Sequence, residues 1–195
     1  MIERPALTSE VIFARLSSPW NDADESDFLR TCQHEAGHFV VADCFKLEPS
    51  SFIAHSRCGA TTYLLCSAPQ TASIGWAGTV AELLAGYRDP ARPTPAIPVT
   101  ETFRWWQEFM DSRCHDRMSL SDREAVAVDG YSCDSLCVAA NTLLANRAAL
   151  AATAQRFTED FRDIAITFRR RPADAANSVH AWVESEAGQT GGAHV

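Results

Sequence analysis

Apolar residues flank a short polar stretch on both sides and predict one long, largely buried helix. The apolar positions are 28, 29 and 32 before the polar stretch and 39–41 after it, and the predicted helix extends from residue 27 to about residue 47. Pro49 is expected to end this helix, because the residue before a proline disfavours the helical region. Ser26 is expected to cap its N-terminus.

Two or three short strands and several further helices are predicted after this segment. Runs rich in Thr, Tyr and Leu, bounded by Gly and Pro, predict a small β-hairpin or short sheet at 51–54 and 59–66. Helical spacing returns at 71–87, 100–110, 132–157 (one or two helices), 160–170 and 173–186. Four prolines within residues 88–100 predict an extended loop. The expected fold is therefore mainly α.

The bulk properties are those of one ordinary globular domain. The chain has 195 residues, of which 46% are hydrophobic and 22% charged. We expect a single domain over 1–195, with an N-terminal extension at 1–26 and a flexible tail at 187–195.

Charge and hydropathy exclude several classes of partner. The net charge of −8 argues against binding to nucleic acid or to an anionic membrane. No apolar stretch approaches the ~20 residues that a membrane span requires. No signal peptide is visible at the N-terminus, and the seven cysteines form no regular framework. A cytoplasmic protein with reduced thiols is expected.

A His-Glu-x-x-His motif lies inside the first predicted helix. His34 and His38 are four residues apart, so both imidazoles lie on one helix face and can bind the same ion, which suits tetrahedral zinc. Glu35 lies round the helix and can act as a general base on a water at the open position. A chance motif on a solvated face is the alternative, but the apolar flanks argue against it. Gly37 costs about 1 kcal/mol relative to Ala in mid-helix, which indicates close packing there.

Two later carboxylates are candidates for a third ligand. Ser121 and Glu124 have the form of a capping box, which puts Asp122 in the first turn of a helix. The helix dipole favours a carboxylate there, and the side chain would be rigidly aimed. Glu82 lies among apolar neighbours in the 71–87 helix. It is either a hydrogen-bonded structural carboxylate or the alternative third ligand.

The predicted second strand is the candidate for substrate binding. An edge strand beside a metal site can hold an extended peptide by main-chain hydrogen bonds. The residues concerned are Gly59, Ala60, Thr61 and Thr62. A purely structural hairpin is the alternative.

Several segments, in the same order, resemble the peptidase domain of the FtsH-type, ATP-dependent zinc metalloproteases. Residues 31–42 resemble the zinc helix of that family, and 59–63 resemble its Gly-rich strand. Residues 77–84 are similar to its Ala-Gly-x-x-Ala-Glu-Glu helix, and Ser121-Asp122 to its Ser-Asn-Asp-Leu segment. The likeness covers most of residues 28–160. The sequence departs from the family pattern with Leu83 after Glu82, with Arg123 after Asp122 and with Ser121 in place of the Asn.

The resemblance implies a helical zincin-type metallopeptidase domain with zinc (Zn2+) as its cofactor. It implies that His34, His38 and Asp122 bind the zinc and that Glu35 activates a water to hydrolyse peptide bonds. The chain contains no G-x-x-x-x-G-K-[ST] motif. Loose peptides or unfolded proteins are thus the expected substrates, with a separate ATPase as a possible unfoldase. Rings formed by that family make a homo-oligomer a further expectation.

Two other functions compete with this one. The first is a non-catalytic or regulatory binding module of the same fold, in which zinc is structural or absent. The second is a gluzincin of another lineage, in which Glu82 is the third ligand. The intact Glu35 favours catalysis, because a structural zinc needs no general base.

Overall fold

The computed structural model describes residues 20–86, 106–107, 110, 118–168 and 172–190. Within these ranges the chain forms six helices and one two-stranded antiparallel hairpin. The elements are, in chain order, α1 (Asp22–Cys44), β1 (Ser50–His55), β2 (Cys58–Thr62), α2 (Ala68–Leu84), α3 (Leu120–Ala127), α4 (Cys133–Ala145), α5 (Arg147–Phe168) and α6 (Pro172–Thr190). The prediction of a mainly α fold with a small hairpin is confirmed.

Helix α1 begins earlier than its apolar pattern indicates. Its N-cap is Asn21, whose Oδ1 accepts hydrogen bonds from the backbone N–H groups of Ala23 and Asp24 at 2.9 and 3.1 Å. Asp24 completes a capping box by accepting from the Asn21 backbone N–H at 3.2 Å. The expected cap, Ser26, is an exposed residue inside the helix. The first turn is acidic and solvated, so apolar periodicity could not detect it.

The hairpin is held between helices on its two faces. Ser51 pairs with Thr61 and Ile53 with Gly59, and these pairs share one face. That face lies against α1, because Thr61 is hydrogen-bonded to Glu35. On the opposite face, the Phe52 ring lies 5.8 Å from the rings of both Phe161 of α5 and Trp182 of α6. The position of β2 therefore depends on α1 and on the C-terminal helices together.

Helices α1 and α2 form the centre of the core. Most of α2 from Thr71 to Ala81 is buried, and Trp76 is fully inaccessible. Gly37 of α1 lies against the α2 backbone, where an added Cβ would be 2.6 Å from the Cβ of Ala81 and closer still to the carbonyl oxygen of Ala77. The mid-helix glycine thus sets the separation of the two helices.

The later helices differ from their predicted bounds at several ends. The 132–157 segment divides at Asn146 into α4 and α5, and α5 absorbs most of the helix predicted at 160–170. Helix α6 continues to Thr190, into the segment predicted as a tail. The predicted loop at 88–100 and most of the predicted helix at 100–110 lie outside the described residues.

No single helix in the described part of the chain is both long and apolar enough to cross a membrane. The segments Cys133–Ala145 and Arg147–Thr167 meet the criteria of length and composition only when taken as one pair, which is bent by 84°.

The close approach at Gly37 gives a testable consequence. Gly37→Ala is expected to lower the free energy of unfolding by about 1–3 kcal/mol, because the methyl group overpacks the contact with α2. This loss outweighs the ~1 kcal/mol by which Ala is favoured within a helix. Chemical denaturation would measure the change. The control is Ser26→Ala, an exposed substitution in the same helix, which is expected to shift stability by no more than about 0.5 kcal/mol. A stabilised Gly37→Ala protein would contradict the packing described here.

Candidate metal centre

Three side chains from two helices converge on one point of the core. His34 and His38 come from α1 and Asp122 from α3, and one ligand atom of each lies within 4.8 Å of the other two. The Nε2 atoms of the two histidines are 3.0 Å apart. Asp122 Oδ2 lies 3.1 Å from Nε2 of His34, and Oδ1 lies 3.2 Å from Nε2 of His38.

The Nδ1 atom of each histidine, which faces away from the other ring, has its own hydrogen-bond acceptor. Nδ1 of His38 is 2.7 Å from the carbonyl oxygen of Ile74, which can only accept, so this nitrogen carries a hydrogen. Nδ1 of His34 is 2.8 Å from Oε1 of Glu82. The ionised state of Glu82 is favoured: burial opposes it, but His34 and Arg30 outweigh burial and lower the pKa of the carboxyl. A neutral imidazole has one N–H, so each Nε2 presents a lone pair to the other ring.

Two lone pairs that face each other at 3.0 Å repel unless a cation lies between or beside them. The cation can be a proton or a metal ion. Donor atoms at about 2.0–2.1 Å from a tetrahedral zinc are about 3.3 Å apart, close to the three separations seen here. The two nitrogens and the carboxylate are therefore a donor set that could hold a metal ion.

The pKa values of the two histidines and of Asp122 are shifted by burial and by one another's charges. Burial lowers the pKa of both histidines, but the Asp122 carboxylate outweighs it and raises the pKa of each above its ordinary value. Burial also opposes ionisation of Asp122, yet His38 and His34 hold the pKa of that carboxyl far below its usual range. These shifts favour protonation of the histidines at the atoms where a metal would bind, so a metal is expected to compete with a proton there.

Two glycines of α2 make room for this arrangement. A Cβ at Gly78 would lie 2.5 Å from Nε2 of His34 and 2.6 Å from Nε2 of His38. A Cβ at Gly75 would lie 2.8 Å from the Cβ of Ala125, so this glycine lets α3 approach with Asp122. The space around the donors therefore depends on the absence of two side chains.

Asp122 is held in the first turn of α3, although the cap differs from the predicted one. The N-cap is Ser119, whose Oγ accepts a hydrogen bond from the Asp122 backbone N–H at 3.0 Å. Ser121, the expected cap, lies inside the helix. The local sequence thus fixes the backbone of Asp122 directly, and the side chain is 9% exposed.

Glu82 lies on the far side of His34 from the three converging atoms. It contacts Nδ1 rather than sharing the position that Nε2 faces, and its Oε2 accepts from Nε of Arg30 at 2.5 Å. In this arrangement it orients a histidine and balances charge. A carboxylate in this position typically makes the ligating nitrogen more basic.

Glu35 points to the hairpin. It is 6% exposed, and its Oε2 accepts a hydrogen bond from the hydroxyl of Thr61 at 2.8 Å. Oγ of Ser51 lies 2.8 Å from Oγ1 of Thr61. Because a hydroxyl has one hydrogen, Ser51 donates to Thr61 when Thr61 donates to Glu35. A Cβ at Gly59 would lie 3.0 Å from Oε1 of Glu35, so β2 approaches the carboxylate closely.

The candidate residues from the sequence therefore separate into three groups. His34, His38 and Asp122 meet at one point, Glu82 contacts the outer nitrogen of His34, and Glu35 contacts Thr61 of the hairpin. Of the four β2 residues proposed to bind substrate, Gly59 and Thr61 contact Glu35, and Thr62 is buried.

Sequence reasoning missed Arg30, Ser51 and the carbonyl of Ile74. Arg30 precedes His34 by four residues, so helical spacing could have identified it. Neither Ser51 nor the Ile74 carbonyl carries a comparable local signal.

The space at Gly78 can be tested by filling it. Gly78→Ala is expected to weaken zinc binding by about tenfold or more, because the methyl group would occupy the space beside both Nε2 atoms. Loss of a residue that only supports a ligand already costs about tenfold in metal affinity, so a direct collision with two ligands should cost at least as much. Competition with a chromophoric chelator would measure the dissociation constant, and circular dichroism would check the fold. Thr79→Ala, at the next position of α2, is the control and should bind like wild type. Equal affinity in the Gly78→Ala protein would contradict the described geometry.

Comparisons with known proteins identify no relative. No protein-family model matches the chain, and no curated protein or solved structure matches it significantly. Function must therefore be inferred from the geometry of the site.

Proposed function

We propose that this chain is a zinc metallopeptidase with a helical zincin-type fold. The observation that carries the proposal is the pair of imidazole Nε2 atoms 3.0 Å apart, beside one carboxylate. Both rings have their other nitrogen engaged, which is the arrangement typical of metal-ligating histidines.

The number of donors favours catalysis over a structural role. Structural zinc sites usually have four protein ligands, whereas catalytic sites have three and keep one position open. The described residues offer three donors at this point, and Glu82 is engaged on the opposite side of His34. The non-catalytic module remains the alternative that the first experiment below distinguishes.

The proposed reaction adds water across a peptide bond. When bound at these donors, zinc supplies Lewis-acid chemistry, polarising a carbonyl and acidifying a water molecule. Glu35 accepts a proton from the attacking water at Oε1, the oxygen to which Thr61 does not donate. It then transfers the proton to the departing amine nitrogen as the C–N bond breaks. Thr61 holds the carboxylate in position throughout, and Ser51 orients Thr61.

The arrangement along the chain supports the same proposal. The histidine helix, hairpin, α2 and Asp122 helix follow one another in the order that the FtsH-type resemblance implies. Among the described residues β2 pairs with β1 only, and we propose that its other edge holds an extended peptide or unfolded protein. A separate ATPase, a homo-oligomer and a cytoplasmic location remain part of this proposal.

Glu35→Gln is the direct test of the enzyme. Hydrolysis of casein or of unstructured peptides is expected to fall by about 10²- to 10⁴-fold, because the amide cannot accept the proton. Zinc content, measured by atomic absorption, should remain that of wild type. Asp43→Asn is the matched control, an exposed carboxylate-to-amide change on the same helix, and should keep full activity. A wild type that holds zinc but hydrolyses none of these substrates would support the non-catalytic module instead.

The hydroxyl beside Glu35 gives a second test. Thr61→Val keeps the shape of the side chain but removes the hydrogen bond, and kcat is expected to fall by roughly 10- to 100-fold. Thr61→Ser restores the hydroxyl and should recover most of the activity. Both variants should retain zinc. If Thr61→Val and Thr61→Ser are equally active, the hydroxyl has no role in positioning the base.

A further inference from the structure

Charged side chains of three helices alternate in one row across the site. Arg30, His34 and His38 follow one another at four-residue spacing, so they lie on one face of α1. Glu82 of α2 bridges the first two, and Asp122 of α3 bridges the last two. The row therefore reads Arg30, Glu82, His34, Asp122 and His38, with the sign of charge alternating along it when the histidines carry a proton.

Glu82 divides its two oxygens between its neighbours in this row. Oε1 accepts from Nδ1 of His34 at 2.8 Å, and Oε2 accepts from Nε of Arg30 at 2.5 Å. The Arg30 side chain is 48% exposed and that of Glu82 is 15% exposed. A carboxylate side chain can rotate about its last bonds, and the second contact fixes which oxygen meets the imidazole.

We propose that Arg30 is a positioning residue that raises the metal affinity of the site through Glu82. Arg30 orients Glu82 by donating to its Oε2. Glu82 in turn holds the hydrogen of His34 on Nδ1 and directs the Nε2 lone pair to the metal. This inference rests on the proposed metal site but not on peptide hydrolysis.

The sign of the effect separates this role from simple electrostatics. Removing a positive charge near a cation site should strengthen metal binding if only Coulomb repulsion counts. Removing a positioning residue should weaken it. Arg162 of α5 is the matched control: its side chain is 45% exposed, and it pairs at 2.6 Å with Glu25 of α1, the helix that carries Arg30.

The experiment is a titration of the metal-free proteins with zinc chloride in competition with a chromophoric chelator. Arg30→Gln is expected to weaken binding roughly two- to fivefold, the range for an exposed ion pair. Glu82→Gln should weaken it about 10- to 100-fold. Arg162→Gln should leave it unchanged, and Arg30→Lys should recover part of the loss. Thermal unfolding of each metal-free protein checks that the variants are folded.

A double variant decides whether Arg30 acts through Glu82. If it does, Arg30→Gln added to Glu82→Gln causes no further loss of affinity. Fully additive losses would overturn the inference, as would an Arg30→Gln protein that binds zinc as tightly as the Arg162→Gln protein or more tightly. A wild type that binds no zinc would overturn the metal site as well, so the two failures are distinguishable.

Discussion

Two imidazole nitrogens that face each other at 3.0 Å are the constraint on which the rest of the site depends. Neither ring can turn away without losing its outer hydrogen bond, to Glu82 for His34 and to the Ile74 carbonyl for His38. The opposed lone pairs are unfavourable alone and favourable with a cation. Asp122, whose carboxylate oxygens lie 3.1 and 3.2 Å from the two Nε2 atoms, favours such a cation, whether it is a proton or a metal ion. The same three side chains therefore form a group that could hold a metal ion.

Helix α2 makes this arrangement possible because two of its buried positions are glycines without side chains. Gly78 leaves space beside the rings, and Gly75 admits the helix that brings Asp122. Glycine within a helix costs about 1 kcal/mol relative to Ala, so local propensity opposes these positions. Burial of the surrounding apolar residues, with Trp76 and Ile74 almost completely inaccessible, more than offsets that cost. Helix propensity disfavours glycine at these two positions, but tertiary packing requires it, because a side chain would collide with the histidine rings or with α3.

The sequence alone could predict those parts of the site whose residues are close together in the chain. The histidine pair could be predicted because its geometry is a property of one helix turn, and the mainly α fold followed from periodicity. Asp122 is 88 residues from His34; the capping pattern made it a candidate ligand, but only the family resemblance favoured it over Glu82. The roles of Thr61 and Ile74 depend on how a strand and a helix dock onto α1, which no local pattern encodes. The predicted N-caps Ser26 and Ser121 were wrong, because each lies near other polar residues that can also cap a helix; the caps are Asn21 and Ser119.

A two-stranded ribbon is only marginally stable in water by itself. Here its inner face supplies the Thr61 hydroxyl to Glu35, while its outer face carries Phe52 between Phe161 and Trp182. Thr61 of β2 and Phe52 of β1 lie in neighbouring pairs of the hairpin and on its opposite faces, so the same ribbon serves the proposed chemistry and contacts α5 and α6. The position of Glu35 consequently depends on aromatic packing more than a hundred residues downstream, so a substitution at Phe161 or Trp182 is expected to displace the proposed base.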